Sequence, residues 1–203
     1  AAPLAALHAR FGVDAVMVTS MQAISGAGYP GVPALDIVGN VIPYIRNEES
    51  KVESESNKIL GTLAQSGSAA SVVPAPFVVS ATCTRVPVVE GHTLSISVRL
   101  KTKASLEDVA AAFRAFEPRI APYGLPSAPS QFLALLDAED RPQPRKDVED
   151  DGGMRITLGR LRSCPILDFK FVSLGHNTER GAAGASVLNA ETALAMGLVP
   201  SAV

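Results

Sequence analysis

Arg85 and His92 bracket the stretch RVPVVEGH, in which Pro87 and Gly91 punctuate a connection between two strand-like runs, Phe77–Val86 and His92–Lys101. A guanidinium grips a carboxylate through two parallel hydrogen bonds. An imidazole moves a proton near neutral pH. The pair therefore suits acid–base chemistry on a small carboxylate, although the same two residues would also fit the end of an ordinary hairpin. Glu48 and Lys51 lie three apart on a predicted helix and share a face, as the members of a solvated ion pair would. Gln22 ends a β-branched run and precedes SGAGYPG, a position common for ligand-facing side chains. The glycines of that loop permit close backbone approach. Their spacing is not that of a dinucleotide fingerprint, and no helical pattern follows at once.

The elements that must position these residues are legible from periodicity. Ala1–Gly12 reads as a helix stopped by Gly12, with no capping residue in front, as though the chain begins partway along it. Val13–Gln22 reads as a strand. Asn47–Ala64 reads as a helix capped by Asn47, with Glu48 and Glu49 in its first turn, and Gln65–Pro76 reads as a loop. His92–Lys101 alternates cleanly, Leu94, Ile96, Val98 and Leu100 against Thr93, Ser95, Ser97 and Arg99. Ser105 and Asp108 form a near capping box for a helix striped by Val109, Ala112, Phe113 and Phe116. Phe132–Leu136, Met154–Arg162 and Ile166–Leu174 predict further strands, Arg141–Gly153 a long exposed loop, and Ala182–Gly197 an alanine-rich helix. The sum is an α+β fold in one domain: a mostly antiparallel or mixed sheet of about six strands, with helices on one face.

Composition narrows the classes. The 203 residues are 47% hydrophobic and 19% charged, a globular balance. Lys+Arg 18 against Asp+Glu 20 gives a net charge of -2, which argues against nucleic acid. No apolar run is long enough to span a membrane, and the first residues lack a secretory pattern. Two cysteines, Cys83 and Cys164, make neither a disulfide framework nor a zinc site, so no metal is expected and a cytoplasmic setting is the default.

Five blocks taken in order, SMQAISGAGYPGV, EESKVESESNKILG, TCTRVPVVEGHT, RPQPRKD and LGHNTERGAAGASVLNAE, resemble the fungal and archaeal branch of aspartate-β-semialdehyde dehydrogenase. The resemblance covers nearly the whole chain, Val13 to Gly197. It implies the fold of a glyceraldehyde-3-phosphate dehydrogenase-like C-terminal domain that dimerises through its sheet. It also implies reduction of β-aspartyl phosphate to aspartate-semialdehyde with NADPH, by way of a cysteine thiolate. By resemblance His92 is the acid–base residue and Arg85 binds the substrate α-carboxylate. Glu48 holds the substrate amino group, Lys51 contacts the phosphate and Gln22 orients the substrate. Ser25, Gly26 and Asn177 lie toward the cofactor. The family's nucleophilic Asn-Cys-Ser/Thr motif and its NADP-binding domain with the glycine-rich phosphate loop have no counterpart in these 203 residues. The expectation is therefore a C-terminal catalytic and dimerisation domain that is inactive alone and binds NADP poorly. A malonyl-CoA reductase of the same architecture, or a dimerisation module without chemistry, are the alternatives.

Overall fold

The computed structural model describes residues 1–66 and 69–199, the side chains of residues 66 and 69 excepted. Helix α1 (Ala2–Phe11) ends at Gly12, whose φ of 66° suits glycine and breaks the helix into strand β1 (Val13–Gln22). A short 3-10 turn (Ile24–Ala27) and α2 (Ala34–Ile37) lead to α3 (Glu48–Ile59). Next come β2 (Thr62–Ser66), β3 (Ala69–Val73), β4 (Val78–Arg85), β5 (His92–Leu100) and α4 (Leu106–Arg114). The chain closes with β6 (Leu133–Leu135), α5 (Pro144–Asp147), β7 (Ile156–Ser163), β8 (Phe169–Gly175) and α6 (Ala183–Ala195).

Six strands form one sheet in the order β4-β1-β5-β8-β7-β6. The pairs β1/β4 and β6/β7 are parallel and the other three antiparallel, so the sheet is mixed, as the strand patterns predict. One expectation changes the geometry of the site. Strands β4 and β5 are not hairpin partners, because β1 lies between them. The connection from Arg85 to His92 therefore passes over the end of β1, and three strand ends meet there.

Alternation places Val16 and Val18 of β1, Ile96 and Val98 of β5, and Phe169 and Phe171 of β8 on one face. Leu4 and Leu7 of α1 and Val109 and Phe113 of α4 cover that face. Phe113 meets Phe171 edge-to-face at 5.1 Å. The predicted capping box opens α4: the Asp108 N–H donates to Ser105 Oγ at 3.1 Å, and the Ser105 N–H donates to Asp108 Oδ2 at 2.9 Å.

Helix α3 is shorter than the predicted Asn47–Ala64, and Asn47 (φ 62°) makes no capping bond with its side chain. The helix has no fully buried residue and lies along the free edge of β4, with Val52 packed against the core. Glu49 Oε1 accepts from the Cys83 N–H and Glu53 Oε1 from the Ala81 N–H, each at 3.0 Å. Asn57 Nδ2 donates to the carbonyls of Ala75 and Phe77 at 2.6 Å. Positions 49, 53 and 57 are one helical stripe. The Arg85 N–H completes the row by donating to Ile42 O at 2.9 Å.

Two loops differ from expectation. Part of Gln65–Pro76 belongs to a two-stranded ribbon, β2 paired with β3, while Gly67 and Ser68 lie outside the described residues. Arg141–Gly153 is not simply exposed. Asp147 is buried, pairs with Arg141 and accepts from the Gln143 N–H, so a carboxylate organises the segment from within. On the far side of the sheet, β4, β1 and β5 expose Thr19, Ser80, Thr82 and Ser95 with Met17 and Val78. This open face is rich in hydroxyls.

Candidate active site

Register delivers the site residues to one place. Gln22 pairs with Arg85 across β1/β4, Met21 pairs with Thr93, and His92 pairs with Gly175 at the end of β8. Gln22, Arg85 and His92 therefore stand at neighbouring strand ends, with Asn177 two residues beyond β8. Glu48, in the first turn of α3, reaches in from the side: Gln22 Nε2 donates to Glu48 Oε1 at 3.1 Å and lies 3.3 Å from Ser20 Oγ. Gln22 and Arg85 are buried, at 5% and 6% exposure.

The hub is backbone, and no side-chain pattern announces it. The Ala23 N–H donates to His92 Nδ1 at 3.2 Å, and Ala23 O accepts from Arg85 Nη1 at 2.7 Å. The backbone of one residue thus holds both His92 and Arg85. Gly26 explains itself: a Cβ there would lie 2.9 Å from His92 Cε1 and 3.0 Å from Arg85 Nη1. Any side chain would push the imidazole and the guanidinium apart. Asn177 Nδ2 donates to Ser25 Oγ at 2.8 Å, and Asn177 Oδ1 accepts from the Gly91 N–H at 2.9 Å.

Of the predicted residues, Gln22, Ser25, Gly26, Glu48, Arg85, His92 and Asn177 converge. Lys51 does not join their hydrogen bonds; it is exposed, one turn along α3. Ala23, and the Glu49, Glu53 and Asn57 stripe that seats α3, were not found from sequence. The stripe had a signal, since polar residues at four-residue spacing on a helix without an apolar face need partners of their own.

Electrostatics follow from burial. The His92 pKa is pulled down to about 4, first by desolvation and then by Arg85, against the opposing pull of Glu48, a Gly91 backbone hydrogen bond and Glu90. Burial also lowers the Arg85 pKa, with Glu48 opposing. Because His92 is neutral when folded and takes a proton near its ordinary value when unfolded, the unfolded chain binds more protons between pH 6.5 and 4. Stability is therefore expected to fall through that window as pH drops, by on the order of 3 kcal/mol. Urea titrations at pH 7 and pH 4.5 check this: His92→Gln should flatten the difference, and an unchanged slope with pH would contradict it.

Neither cysteine serves the site. Cys83 has no exposed surface, and burial raises its pKa. Cys164 lies beyond the opposite end of β8 from His92, ~20 Å away at strand rise. The Leu167 and Ile166 backbone N–H groups lower its pKa. A cleft of about 450 Å³ opens beside His92, lined by Leu4, Val18, Leu94, Asn177 and Arg180. A larger one, about 1010 Å³, lies between α4 and β6–β7 and holds none of the residues above. No cluster of metal-binding side chains exists among the described residues, and no helix is long and apolar enough to cross a membrane.

The chain belongs to the semialdehyde dehydrogenase dimerisation-domain family, whose profile matches residues 4–180. Among individual proteins, it is 49% identical over 201 residues to the aspartate-semialdehyde dehydrogenase of Cryptococcus neoformans, covering 97% of this chain and 55% of that one. It is 47% identical over 180 residues to the same enzyme of Archaeoglobus fulgidus, covering 89% of this chain and 50% of that one. The Candida albicans enzyme, solved with NADP, superposes with a TM-score of 0.87 at 43% identity, covering 97% of this chain and 55% of that one. The chain thus spans about half the length of the relatives it matches.

Proposed function

We propose that this chain is the substrate-binding and dimerisation part of an aspartate-semialdehyde dehydrogenase, which converts β-aspartyl phosphate and NADPH to aspartate-semialdehyde, phosphate and NADP. The observation that carries the reading is the convergence of Arg85, Glu48, Gln22 and His92 on one sheet end. Arg85 spends Nη1 on Ala23 O, and its Nε and Nη2 have no hydrogen-bond partner among the described residues, so that edge can take a carboxylate with two parallel bonds. Glu48, steadied by Gln22, offers a carboxylate to the substrate ammonium; a malonyl-CoA substrate would leave it without a purpose. Lys51, exposed nearby, contacts phosphate as a point charge. His92 has Nδ1 engaged by the Ala23 N–H, so the neutral ring carries its proton on Nε2. That N–H holds the attacking thiolate and then the oxygen that becomes negative as the acyl group is reduced.

NADPH, when bound, supplies the hydride. Ser25, Gly26 and Asn177 are the residues that would meet its nicotinamide. Gly26 is exposed, and one N–H of the Asn177 amide is free of partners among the described residues, which suits that contact.

The test is Arg85→Lys in a full-length protein carrying this chain. Lysine keeps the charge but loses the fork, so kcat/KM should fall by roughly 2–4 kcal/mol of transition-state stabilisation. A fall of less than threefold would remove Arg85 from substrate binding.

The assembly proposed is a homodimer or higher homo-oligomer through the open face of β4, β1 and β5, in keeping with the dimerisation-domain family. Burial on the order of 2,000 Å² is expected. Because the face is hydroxyl-rich, much of its affinity comes from paired hydrogen bonds and not from apolar area alone. Sedimentation at micromolar concentration should show a dimer, and a monomer throughout would refute this interface.

A further inference from the structure

His92 is oriented by the strap Ala23–Gly26, through the Ala23 N–H and the close approach of Gly26. The strap has its own supports. The Ile24 N–H donates to Val88 O at 2.8 Å and the Ser25 N–H to Val89 O at 3.3 Å, which ties it to the connection that leads into His92. Strap and connection are then joined a second time by one side chain from a distant part of the sequence. Asn177 donates to Ser25 Oγ and accepts from the Gly91 N–H, immediately before His92.

We infer that Asn177 is a positioning residue that fixes the orientation and tautomer of the His92 imidazole. The amide closes a ring: Asn177 to Ser25, along the strap to Ala23, across to His92, and back through Gly91 to Asn177. Each bond in it is individually modest. Together they leave the Ala23 N–H one place to point, at Nδ1, and so keep the proton of the neutral ring on Nε2. Partners that orient metal-bound histidines typically change activity by about 10–100-fold, and that scale is carried over to this orienting amide. The kinetic consequence, though not the orientation, rests on the proposed role of His92.

The experiment is long-range 15N–1H NMR of the histidine rings in this chain at pH 7, for the parent sequence and for Asn177→Ala, Ser25→Ala and Asn177→Asp. Three histidines give three signals, and two are internal controls. His8 Nδ1 accepts from the Val13 N–H at 3.1 Å and His176 Nδ1 from the Thr178 N–H at 3.3 Å, so both should stay in one tautomer throughout. His92 should show a single Nε2–H tautomer in the parent and lose that signature in Asn177→Ala. Asn177→Asp should restore it, since a carboxylate accepts from both the Gly91 N–H and the Ser25 hydroxyl. If Asn177→Ala does not fold, Ser25→Ala breaks half of the ring and should mix the tautomers of His92 in part. A folded Asn177→Ala or Ser25→Ala with an unchanged His92 signature would overturn the inference. In a full-length protein, Asn177→Ala should lower kcat about tenfold with KM for aspartate-semialdehyde, which Arg85 and Glu48 hold, little changed. An altered ring signal with kcat intact would uphold the positioning and instead sink the catalytic reading of His92.

Discussion

Replacing His92 by Asn in a full-length protein carrying this chain should lower kcat by about 10²–10⁴, the usual scale for a group that handles a proton in the transition state. The fold should survive, because the imidazole is only partly buried and its contacts are to backbone. Substrate affinity should change little, because the proposed binding groups, Arg85 and Glu48, keep their partners in Ala23 and Gln22. Steady-state kinetics across pH decide it. A variant with unchanged kcat and an unchanged profile would place the proton chemistry elsewhere.

The second large effect is a complete one. Assayed alone with aspartate-semialdehyde, NADP and phosphate, this 203-residue chain should give the rate of buffer. The proposed reaction needs a thioester, and a thioester needs an accessible thiolate beside His92. Cys83 has no exposed surface, and its pKa is raised by burial, with Glu48, Glu49 and Glu53 adding to the rise. Cys164 has a lowered pKa yet sits beyond the far end of β8. The 203 residues also hold no glycine-rich phosphate loop for a dinucleotide. What remains is the cradle of Glu48, Arg85 and His92, with Lys51 exposed nearby, so anion binding without turnover is the expected behaviour. NADPH production that disappears on Cys164→Ser or Cys83→Ser would show that the nucleophile has been misplaced.

The parts of this structure that sequence revealed are those in which chemistry repeats along the chain. His92–Leu100 alternates with a period of two, and Leu106–Arg114 carries both its cap and its stripe, so each is set by local physics. The residue types at the sheet end, Arg85, His92, Gln22 and Glu48, were visible one by one. Their convergence was not, because it depends on β1 entering between β4 and β5, a pairing that no local pattern encodes. The Ala23 backbone was invisible for a different reason: a backbone N–H and C=O belong to every residue, and only position selects this one. Lys51 marks the opposite limit. Its spacing from Glu48 indicated a shared, solvated helical face, which its exposure one turn away bears out, while only the resemblance gave it a place at the site.

The stripe of Glu49, Glu53 and Asn57 bears on how copies of this chain can meet. An edge strand with free amides is a template on which another chain can continue the sheet. Here the outward N–H groups of Ala81 and Cys83 are already taken by carboxylates, and that of Arg85 by Ile42 O. A neighbour arriving at β4 finds a helix with a negatively charged first turn instead of a row of donors. Growth by strand addition at this margin is closed, whereas contact across the hydroxyl-bearing face is left open. That difference separates an assembly that ends at a defined size from one that runs on into fibres.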